Sequence, residues 1–465
     1  MNADTATRLK NLLGPKGFIE DAAEIAPHLC EWRGKYHGRT AVMLRPASTA
    51  ETAAIMKICH ADGTKVVPQG GNTGLVGGQL PFADEALIDF SRMHRIRAVD
   101  AGTASMIVDA GAPLAEAQQA ADAAGLLLPV SLASEGSCTV GGIVSTNAGG
   151  VNVLRYGMVR EQVLGLEVVL ADGRILDLLR TLRKDNTGYD LKQLFIGAEG
   201  TLGLVTAVAF KLYPKPQARF TAFLAVPGVK AALAILSRVQ AATGGMADAF
   251  ELVPRYGMDL VTRHIPDVKD PFAAPSPWYV LCEVSGTPML KDVFEDTLAS
   301  ALEAELASDA VIATSEAQRA ALWRLRESMS EAEKLEGPSF KHDVAVPVGD
   351  QAEFIDAATK AVAKAEPGIK PIVFGHLGDG NLHFNFMVPQ GRELWLERWD
   401  EIAAVVYAVV REFGGTISAE HGIGVMKRSE LARSKTPEEL ELMRTVKDAL
   451  DPQNILNPGK LLPDD

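Results

Sequence analysis

Short runs of β-branched and apolar residues alternate with polar, glycine-rich stretches along the first half of the chain. These runs predict strands over residues 86–90, 105–109 and 166–170. Apolar residues at helical spacing predict a helix over residues 112–124. Pro214, Lys215 and Pro216 then interrupt the pattern. We therefore expect a first domain over residues 1–215, with mixed α and β structure.

The second half of the chain combines strands with longer amphipathic helices. A strand is predicted over residues 278–284, and helices over residues 289–306 and 393–413. This pattern predicts an α+β domain with an antiparallel sheet over residues 216–430. Thr436, followed by Pro437 and Glu439, has the sequence of a capping box, so a last helix is expected to run to about residue 450. Residues 431–465 form a separate C-terminal segment.

The pair Asp379-Gly380 is a strong signal for a two-residue hairpin, because a type I′ turn needs positive φ at both central positions. In that register His376 would lie directly opposite His383, with both imidazoles on one face of the sheet. Directly opposed Cβ atoms lie about 4.5–5.5 Å apart, so both rings could bind one metal ion. Asn385 would share the face. The alternative is two unrelated histidines, one of them bonded to a backbone carbonyl.

A carboxylate stands beside a third histidine in a glycine-rich turn, at Glu420 and His421. Two neutral imidazoles and one carboxylate are a sufficient set of protein ligands for a divalent metal. Neighbouring residues project in different directions. Glu420 could therefore join His376 and His383 as a ligand while His421 accepts a proton. Zinc is the expected metal, and manganese or iron would also suit these ligands.

Composition and charge narrow the classes of partner. The 465 residues carry a formal charge of −13, which disfavours nucleic acid or an anionic membrane surface as a partner. The four cysteines show no CxxC spacing, so neither a disulfide framework nor a thiolate metal site is indicated. We find neither a signal-peptide pattern nor an apolar run of about 18 residues. These features led us to expect a soluble protein of a reducing compartment, the cytoplasm.

Three glycine-rich loops lie in the first domain, over residues 69–78, 136–150 and 197–203. Consecutive glycines let successive backbone N–H groups point inward, where they can bind phosphate oxygens without a basic side chain. Three such loops predict a large phosphorylated ligand. Neither GxGxxG after a strand nor GxxxxGK[ST] occurs, so a Rossmann NAD site and a P-loop are poorly supported.

Seven motifs, in the family's order, resemble those of the FAD-linked D-2-hydroxyacid dehydrogenases, which are flavoproteins of the vanillyl-alcohol oxidase type. The motifs are residues 69–74, 147–150, 184–191, 197–203, 376–383, 419–422 and 457–460. The resemblance extends over nearly the whole chain from about residue 40. Residues 147–203 look most like the members that act on D-2-hydroxyglutarate, and those that act on D-lactate come next. The resemblance implies an α+β fold in which a vanillyl-alcohol oxidase type FAD-binding domain precedes the substrate- and metal-binding domain.

The resemblance also implies where FAD lies. The pyrophosphate would lie on the first glycine loop, and the C-terminal tail would return to this domain and close over the flavin. The residues implied to contact FAD are Pro68, Gln69, Gly70, Gly71, Asn72, Thr73, Gly74, Gly136, Thr139, Gly142, Ser145, Asn147, Glu199, Val205 and Asn457. Some relatives attach FAD through a histidine in the first loop or a cysteine in the second. This chain has no histidine in residues 68–78 and no cysteine in residues 147–160, so non-covalent FAD is expected.

A 2-hydroxy acid is oxidised by loss of its hydroxyl proton and of the hydride on the same carbon. A metal held by His376, His383 and Glu420 could chelate the hydroxyl and the C1 carboxylate and lower the pKa of the alcohol. His421 would take the proton, and the hydride would pass to the flavin. Asn385 would hydrogen-bond the substrate carboxylate or the edge of the flavin.

A second, distal carboxylate would require cations inside an acidic protein. Arg326 and Ser330 are four residues apart in a predicted helix and would share a face. Lys341 begins a predicted strand over residues 341–346. The resemblance implies that all three face the substrate. The alternative for Arg326 is an ion pair with Glu333 or Glu327 on a solvated helix surface. Relatives specific for hydroxyglutarate have threonine at the position of Ser330, and the smaller side chain leaves the breadth of substrates open.

The expected reaction is the oxidation of D-2-hydroxyglutarate to 2-oxoglutarate, with D-lactate or D-malate as the alternative substrate. Electrons would leave to an acceptor such as electron-transfer flavoprotein or a quinone, and a homodimer is an open option. Two rival hypotheses are a metal-dependent hydrolase and a non-catalytic flavin-binding subunit. A metal-dependent hydrolase would leave the three glycine-rich loops without a function, and the sequence lacks the HExxH motif of such enzymes. The second is disfavoured because the predicted metal ligands and His421 are all present.

Overall fold

The computed structural model describes residues 1–83, 85–388 and 395–464, which fold as two units. The first unit comprises residues 1–149, 157–215 and 420–465, and the second comprises residues 150–156 and 216–419. The chain therefore enters the second unit twice, first through a seven-residue segment.

The strands of the described residues are numbered in chain order. They are β1 (Phe18–Ile19), β2 (Met43–Leu44), β3 (Val66–Gln69), β4 (Ala86–Asp89), β5 (Ile96–Asp100), β6 (Ser105–Asp109), β7 (Leu126–Leu127), β8 (Val163–Val169), β9 (Ile175–Leu178), β10 (Leu204–Lys211), β11 (Tyr213–Pro214), β12 (Ala218–Val226), β13 (Ala247–Pro254), β14 (Trp278–Gly286), β15 (Asp309–Ile312), β16 (Ser339–Phe340), β17 (Asp343–Ala345), β18 (Lys370–His376) and β19 (Asn381–Met387).

The α-helices of the same residues are numbered in the same way. They are α1 (Ala3–Leu13), α2 (Ala22–Ile25), α3 (Thr49–Asp62), α4 (Leu114–Ala123), α5 (Val140–Ser145), α6 (Val153–Tyr156), α7 (Val159–Gln162), α8 (Val229–Thr243), α9 (Arg255–His264), α10 (Leu290–Glu303), α11 (Glu316–Glu327), α12 (Met329–Glu336), α13 (Gln351–Ala365), α14 (Trp399–Glu412), α15 (Arg428–Ser434) and α16 (Pro437–Leu450). None of the helices in the described residues combines the length and the apolar run that crossing a bilayer requires.

The first unit contains a four-stranded sheet in the order β1-β2-β4-β3, in which β2, β4 and β3 run parallel. An antiparallel five-stranded sheet has the order β5-β6-β10-β8-β9. The three strands predicted in this half correspond to β4, β6 and β8, and the predicted helix corresponds to α4. These predictions are confirmed because each element carries the apolar periodicity that its burial requires.

The helix α16 begins as the capping box predicts. The hydroxyl of Thr436 accepts the N–H of Glu439 at 3.2 Å, and the carboxylate of Glu439 accepts the N–H of Thr436 at 2.9 Å. This reciprocal pair satisfies two N–H groups that the first turn of a helix leaves without partners.

The second unit contains an antiparallel sheet in the order β15-β12-β14-β13-β18-β19-β16, with β17 also paired to β19. The predicted α+β class with an antiparallel sheet is confirmed, and β14 and α10 lie where a strand and a helix are predicted. The helix predicted over residues 393–413 is observed as α14 after a 3₁₀ turn over Trp395–Arg398. Residues 393 and 394 lie outside the described residues.

The helix that carries Arg326 does not continue to Ser330 with the same face inward. Ser328 separates α11 from α12 and has ψ −2°, whereas an ideal helix has about −42°. Arg326 is buried and Ser330 is exposed. The prediction that the two side chains share a face is therefore wrong. Lys341 also precedes β17 and lies between it and β16, where the sequence predicts the start of a strand.

Candidate functional site

Strands β18 and β19 form the predicted hairpin, but in a different register. His383 lies opposite Phe374, so the predicted pairing with His376 is wrong by two residues. Side chains on a strand alternate with a period of two, and a shift of two keeps both histidines on one face. The ring centroids are 5.8 Å apart, and a nitrogen of each ring lies within 4.8 Å of a nitrogen of the other. The predicted imidazole pair is therefore present.

Competing hydrogen bonds explain the longer turn. A type I′ turn would require positive φ at Asp379, and positive φ is found at Gly380 but not at Asp379. The carboxylate of Asp379 instead accepts the N–H of Asn381 at 3.1 Å. The N–H of Gly378 donates to the carbonyl of Phe250 in β13 at 3.3 Å. The neighbouring strand thus engages the turn and displaces the tight pairing.

A buried carboxylate that the sequence analysis missed orients His376. Glu251 in β13 lies directly opposite His376, and its Oε1 is 2.7 Å from His376 Nδ1. Burial would raise the pKa of the Glu251 carboxyl, but His376 and Arg326 lower this pKa to about 2. An ionised Glu251 requires the proton of a neutral His376 to stand on Nδ1, so Nε2 carries the lone pair. The signal was present: Glu251 is an acid within a strand that is buried along its whole length.

Arg326 contacts this carboxylate from the other side. Its Nε donates to Glu251 Oε2 at 2.8 Å, and the guanidinium lies over the ring of Phe374 at 5.1 Å. The observed partner is therefore neither of the two glutamates that the sequence offered. Arg326 neutralises the carboxylate that holds His376, which is a requirement for burying that charge.

Lys341 and Asn385 meet at a second buried carboxylate. Glu333 is fully buried; its Oε1 lies 2.7 Å from Lys341 Nζ, and its Oε2 accepts from Asn385 Nδ2 at 2.9 Å. Asn385 Oδ1 in turn accepts the backbone N–H of His342 at 3.0 Å. The side chain of Lys341 is 24% exposed, and its ammonium has three N–H donors.

His383 also has an acid beside it. Asp343 lies directly opposite His383 on β17, and one of its oxygens is within 4.8 Å of a ring nitrogen of His383. Asn381 donates to Asp343 at 2.9 Å and holds the carboxylate in the sheet. The sequence alone does not identify Asp343 as a neighbour of His383, because that contact depends on the register in which β17 pairs with β19.

In the first unit the three glycine-rich loops meet. A Cβ on Gly70 would stand 2.3 Å from Thr139 Oγ1, and one on Gly71 would stand 1.8 Å from the carbonyl oxygen of Ser137. A Cβ on Gly200 would stand 2.4 Å from Cγ of Pro68. These approaches are closer than any real side chain allows. The loops can therefore converge only because glycine stands at these positions.

Side chains of the first loop hold it from behind. Gln69 donates to the carbonyls of His28 at 3.0 Å and Gln79 at 3.1 Å, and Asn72 donates to the carbonyl of Cys30 at 2.9 Å. Asn72 also adopts a left-handed φ of 53°. Within the described residues we find no acceptor for the backbone N–H groups of residues 71–74. Such a group of amides fits phosphate oxygens.

Asn457 supplies a second indication of a ligand. Its Nδ2 donates to the carbonyls of Gly78 at 2.9 Å and Glu199 at 2.7 Å. Its Oδ1 is buried and has no hydrogen-bond partner among the described residues. A buried acceptor without a donor costs free energy. A ligand that donates an N–H to this oxygen, as a flavin ring can, would remove that cost, so these residues fit FAD.

The remaining predicted residues of the first unit support the loops. Thr139 caps α5 by accepting the N–H of Gly142 at 3.4 Å, and Asn147 accepts the N–H of Arg160 at 2.9 Å. Ser145 accepts the N–H of Glu199 at 2.8 Å. Val205 is buried and pairs with Val168, and Gly74 is half-buried and its carbonyl accepts from Gln79 at 2.9 Å. Thr73 is half-buried and Gly136 is exposed.

Glu420 and His421 lie in the segment that returns to the first unit. A Cβ on Gly149 would stand 2.9 Å from Glu420 Oε1, so the carboxylate lies against the second glycine-rich loop. Both side chains are half-buried. The turn that follows them is bonded to the third loop through Glu199, which accepts the N–H groups of Ile423 and Gly424.

The sequence matches two protein-family models, the FAD binding domain over residues 40–179 and the C-terminal domain of FAD linked oxidases over residues 215–461. It is 39% identical to a D-2-hydroxyglutarate dehydrogenase, mitochondrial, of Arabidopsis thaliana, over 100% of this chain and 82% of that protein. A protein of the same name from Bos taurus is 40% identical over 97% of this chain and 82% of that protein.

A solved structure of p-cresol methylhydroxylase with substrate bound superposes with a TM-score of 0.78 and 14% identity, over 99% of this chain and 96% of that one. At this identity the likeness concerns the fold alone. It confirms the predicted fold, that of the vanillyl-alcohol oxidase type flavoproteins.

The expectation of a cytoplasmic location is contradicted. Both relatives are named as mitochondrial proteins. The expectation rested on cysteine usage and on the first residues of the chain, neither of which reports a compartment, and we withdraw it.

Proposed function

This chain belongs to the FAD-linked oxidases, and we propose that it is a D-2-hydroxyacid dehydrogenase that oxidises D-2-hydroxyglutarate to 2-oxoglutarate. The observation that carries the proposal is the match at 39% identity over 100% of this chain to a relative whose name states that substrate. Proteins that share one fold can catalyse many different reactions. The substrate therefore has to be argued from the residues that would bind it.

The first unit would hold FAD without a covalent bond. The backbone amides of residues 71–74 would bind the pyrophosphate, and Asn457 Oδ1 would accept a hydrogen bond from the flavin. When bound, the flavin supplies a hydride acceptor for C2 of the substrate. Gln69, Asn72 and Thr139 would act mainly by fixing the loops, since their side-chain bonds are made to the protein.

His376, His383 and Glu420 would hold a divalent metal, for which zinc is our first candidate and manganese or iron the alternatives. Two observations support this proposal. A ring nitrogen of His376 lies within 4.8 Å of a ring nitrogen of His383, and the bond to Glu251 leaves the lone pair of His376 on Nε2. Glu420 is assigned as the third ligand because it supplies a carboxylate beside His421 in a glycine-rich turn, and the family resemblance implies the same role. Such an ion would polarise the hydroxyl and the C1 carboxylate of the substrate.

His421 is proposed as the general base. A neutral imidazole can accept the hydroxyl proton on a ring nitrogen as the C–H bond of the substrate breaks, because its ordinary pKa lies near neutral pH. The proton and the hydride together account for the two hydrogens that separate a 2-hydroxy acid from its 2-oxo acid.

Lys341 is proposed to bind the distal carboxylate. Its side chain is partly exposed and its ammonium has N–H donors beyond the one that Glu333 can accept, so a substrate carboxylate can share it. Arg326 would contribute through Glu251 and His376, since its guanidinium is already bound to that carboxylate. Direct substrate contacts by Ser330 and Asn385 stay predictions.

The test is a panel of D-2-hydroxyglutarate, D-malate, D-lactate and glycolate, followed by metal analysis of the purified protein. We expect D-2-hydroxyglutarate to give the highest kcat/KM and the protein to contain about one divalent metal per chain. His421→Ala should retain FAD and lose flavin reduction by the substrate. Undiminished turnover in this variant would remove the base assignment, and a higher kcat/KM for D-lactate would replace the proposed substrate.

A further inference from the structure

A buried carboxylate in the first unit has no role in the reaction described above. Glu199 is 8% exposed and lies in the third glycine-rich loop. Its Oε1 accepts the N–H of Ile423 at 2.7 Å and its Oε2 accepts the N–H of Gly424 at 2.8 Å. Both oxygens are thus used for two successive backbone amides, at the second and third positions after His421.

The turn that receives this carboxylate is shaped by glycine. Gly422 has φ +80° and Gly424 has φ +52°, conformations that other residues adopt at a cost. A Cβ on Gly422 would stand 2.8 Å from Glu199 Oε1, and one on Gly424 would stand 2.3 Å from the carbonyl oxygen of Val76. Glycine contributes no side-chain packing, so the turn is held by its backbone bonds. These include the two N–H bonds to the carboxylate and the bond from the N–H of Leu461 to the carbonyl of Gly424 at 2.9 Å.

The main chain of Glu199 is fixed by the loops that would hold FAD. Its N–H donates to the carbonyl of Ser145 at 2.8 Å, and its carbonyl accepts from Asn457 Nδ2 at 2.7 Å. It also adopts a left-handed φ of 52°, which points to a conformation imposed by its surroundings. One residue therefore joins the second loop, the C-terminal tail and the turn after His421.

We propose that Glu199 is a positioning residue: its carboxylate holds residues 422–424 and thereby fixes His421 relative to the FAD-binding loops. The inference rests on the proposed function, in which His421 is the base. It revises the expectation that Glu199 contacts FAD, because both carboxylate oxygens are directed to backbone amides.

Two opposing effects act on the charge of the carboxylate. Burial is the larger one and raises the pKa of Glu199 above its ordinary value, while the two amide N–H groups and the nearby Lys427 act in the opposite direction. Accepting N–H bonds on both oxygens favours the ionised form.

The decisive substitution is Glu199→Gln in the full-length protein loaded with FAD. The amide of glutamine keeps one acceptor but turns an N–H₂ group toward the other backbone N–H, so one bond is replaced by a contact between two donors. The matched control is Glu31→Gln. Glu31 is 2% exposed and also accepts two backbone N–H groups, those of Arg33 and Lys35, at 2.7 and 2.6 Å.

Hydrogen exchange, FAD affinity and steady-state kinetics are then measured on both variants. For Glu199→Gln we expect exchange at Ile423 or Gly424 to be at least about tenfold faster, since a local hydrogen bond is lost. We expect kcat to fall by about 100-fold, because a small misplacement of a catalytic group has effects of this size. KM and the dissociation constant of FAD should change less than about threefold. Glu31→Gln should speed exchange at Arg33 or Lys35 only, and keep kcat.

Gly422→Ala provides a second perturbation if Glu199→Gln does not fold. It leaves Glu199 intact but places a methyl group 2.8 Å from Oε1, closer than the two atoms can approach, and should give the same loss of kcat with FAD retained. The proposal is overturned if exchange at residues 423 and 424 is unchanged, or if FAD affinity falls in proportion to kcat. If the wild-type flavin is not reduced by any 2-hydroxy acid, the proposed function fails, while the exchange data still decide whether Glu199 holds the turn.

Discussion

Glu251→Gln should lower both the stability of the second unit and its capacity to bind metal. Glu251 bonds His376 at 2.7 Å and Arg326 at 2.8 Å while being 1% exposed. Glutamine can satisfy only one of these donors, so the other is left buried with an N–H₂ group facing it. We expect both a loss of stability and a weaker metal site.

Two effects bear on the magnitude of the stability loss. Against the effect of burial, His376 and Arg326 lower the pKa of Glu251 from 4.5 to about 2, which corresponds to about 3 kcal/mol in favour of the folded state where the His376 ring is protonated and to less where it is neutral. Because the folded pKa is the lower one, this contribution is present above pH 4.5 and is lost as the pH falls toward 2. Removing one partner of a buried ion pair costs about 3–5 kcal/mol by a separate route. At neutral pH, where His376 is neutral, we therefore take the loss of about 3 kcal/mol from the donor that is left buried without its partner.

The expected loss of metal affinity in Glu251→Gln follows from the loss of the bond that orients His376. A residue that fixes the tautomer of a ligating histidine contributes about 10- to 100-fold to metal affinity. The assay is titration of metal-free protein with Zn²⁺ or Mn²⁺ against a competing chelator, with urea unfolding of the same metal-free samples. Both measurements use the protein without substrate.

Glu283→Gln is the matched control. Glu283 is also a buried carboxylate of the same sheet, and it bonds Arg319 at 2.7 Å and Trp323 at 2.8 Å. This variant should lose comparable stability and keep its metal affinity. Unchanged metal binding in Glu251→Gln, or an equal loss in both variants, would refute the assignment of Glu251 as the residue that orients His376.

Three further outcomes are expected. Lys341→Ala should lower kcat/KM for D-2-hydroxyglutarate by about 100-fold and for D-lactate by less than about threefold, as expected for loss of a charged contact; equal losses in a substrate panel would contradict its role. Burial lowers the pKa of Lys460 to about 8 from 10.5, so the unfolded chain binds more protons between these values and stability should rise with pH across that window. Lys460→Met should therefore add about 2–3 kcal/mol at pH 7 and flatten the pH profile of urea unfolding. Iodoacetamide should label Cys30, which is half-buried, well before the three buried cysteines, Cys59, Cys138 and Cys282. Peptide mass spectrometry of a time course measures the order, and labelling of a buried cysteine before Cys30 would contradict the prediction.

Local signals predicted the elements that depend on local physics. The capping box at Thr436 starts α16, and the periods of the apolar residues locate β6, α4 and β14. The glycine-rich loops were recognised because glycine is required where backbones approach closely, as at Gly71. In each of these cases the structure of the element is determined by residues that lie close together in the sequence.

The parts that escaped prediction depend on neighbours distant in sequence. The Asp379-Gly380 signal was outweighed by a bond from Gly378 to β13, a strand more than a hundred residues earlier. Glu251 could be recognised as unusual from its apolar strand, but its partners follow only from the pairing of β13 with β18. α11 ends at Ser328, where ψ is −2°, although neither proline nor glycine stands at this point of the sequence.

The central claim is tested most directly by anaerobic titration of the purified protein. We predict a yellow protein whose visible flavin absorption is bleached by D-2-hydroxyglutarate, with 2-oxoglutarate formed in proportion, and which L-2-hydroxyglutarate leaves unchanged. A protein that binds FAD and is bleached by none of the 2-hydroxy acids, or by both enantiomers equally, would contradict the account.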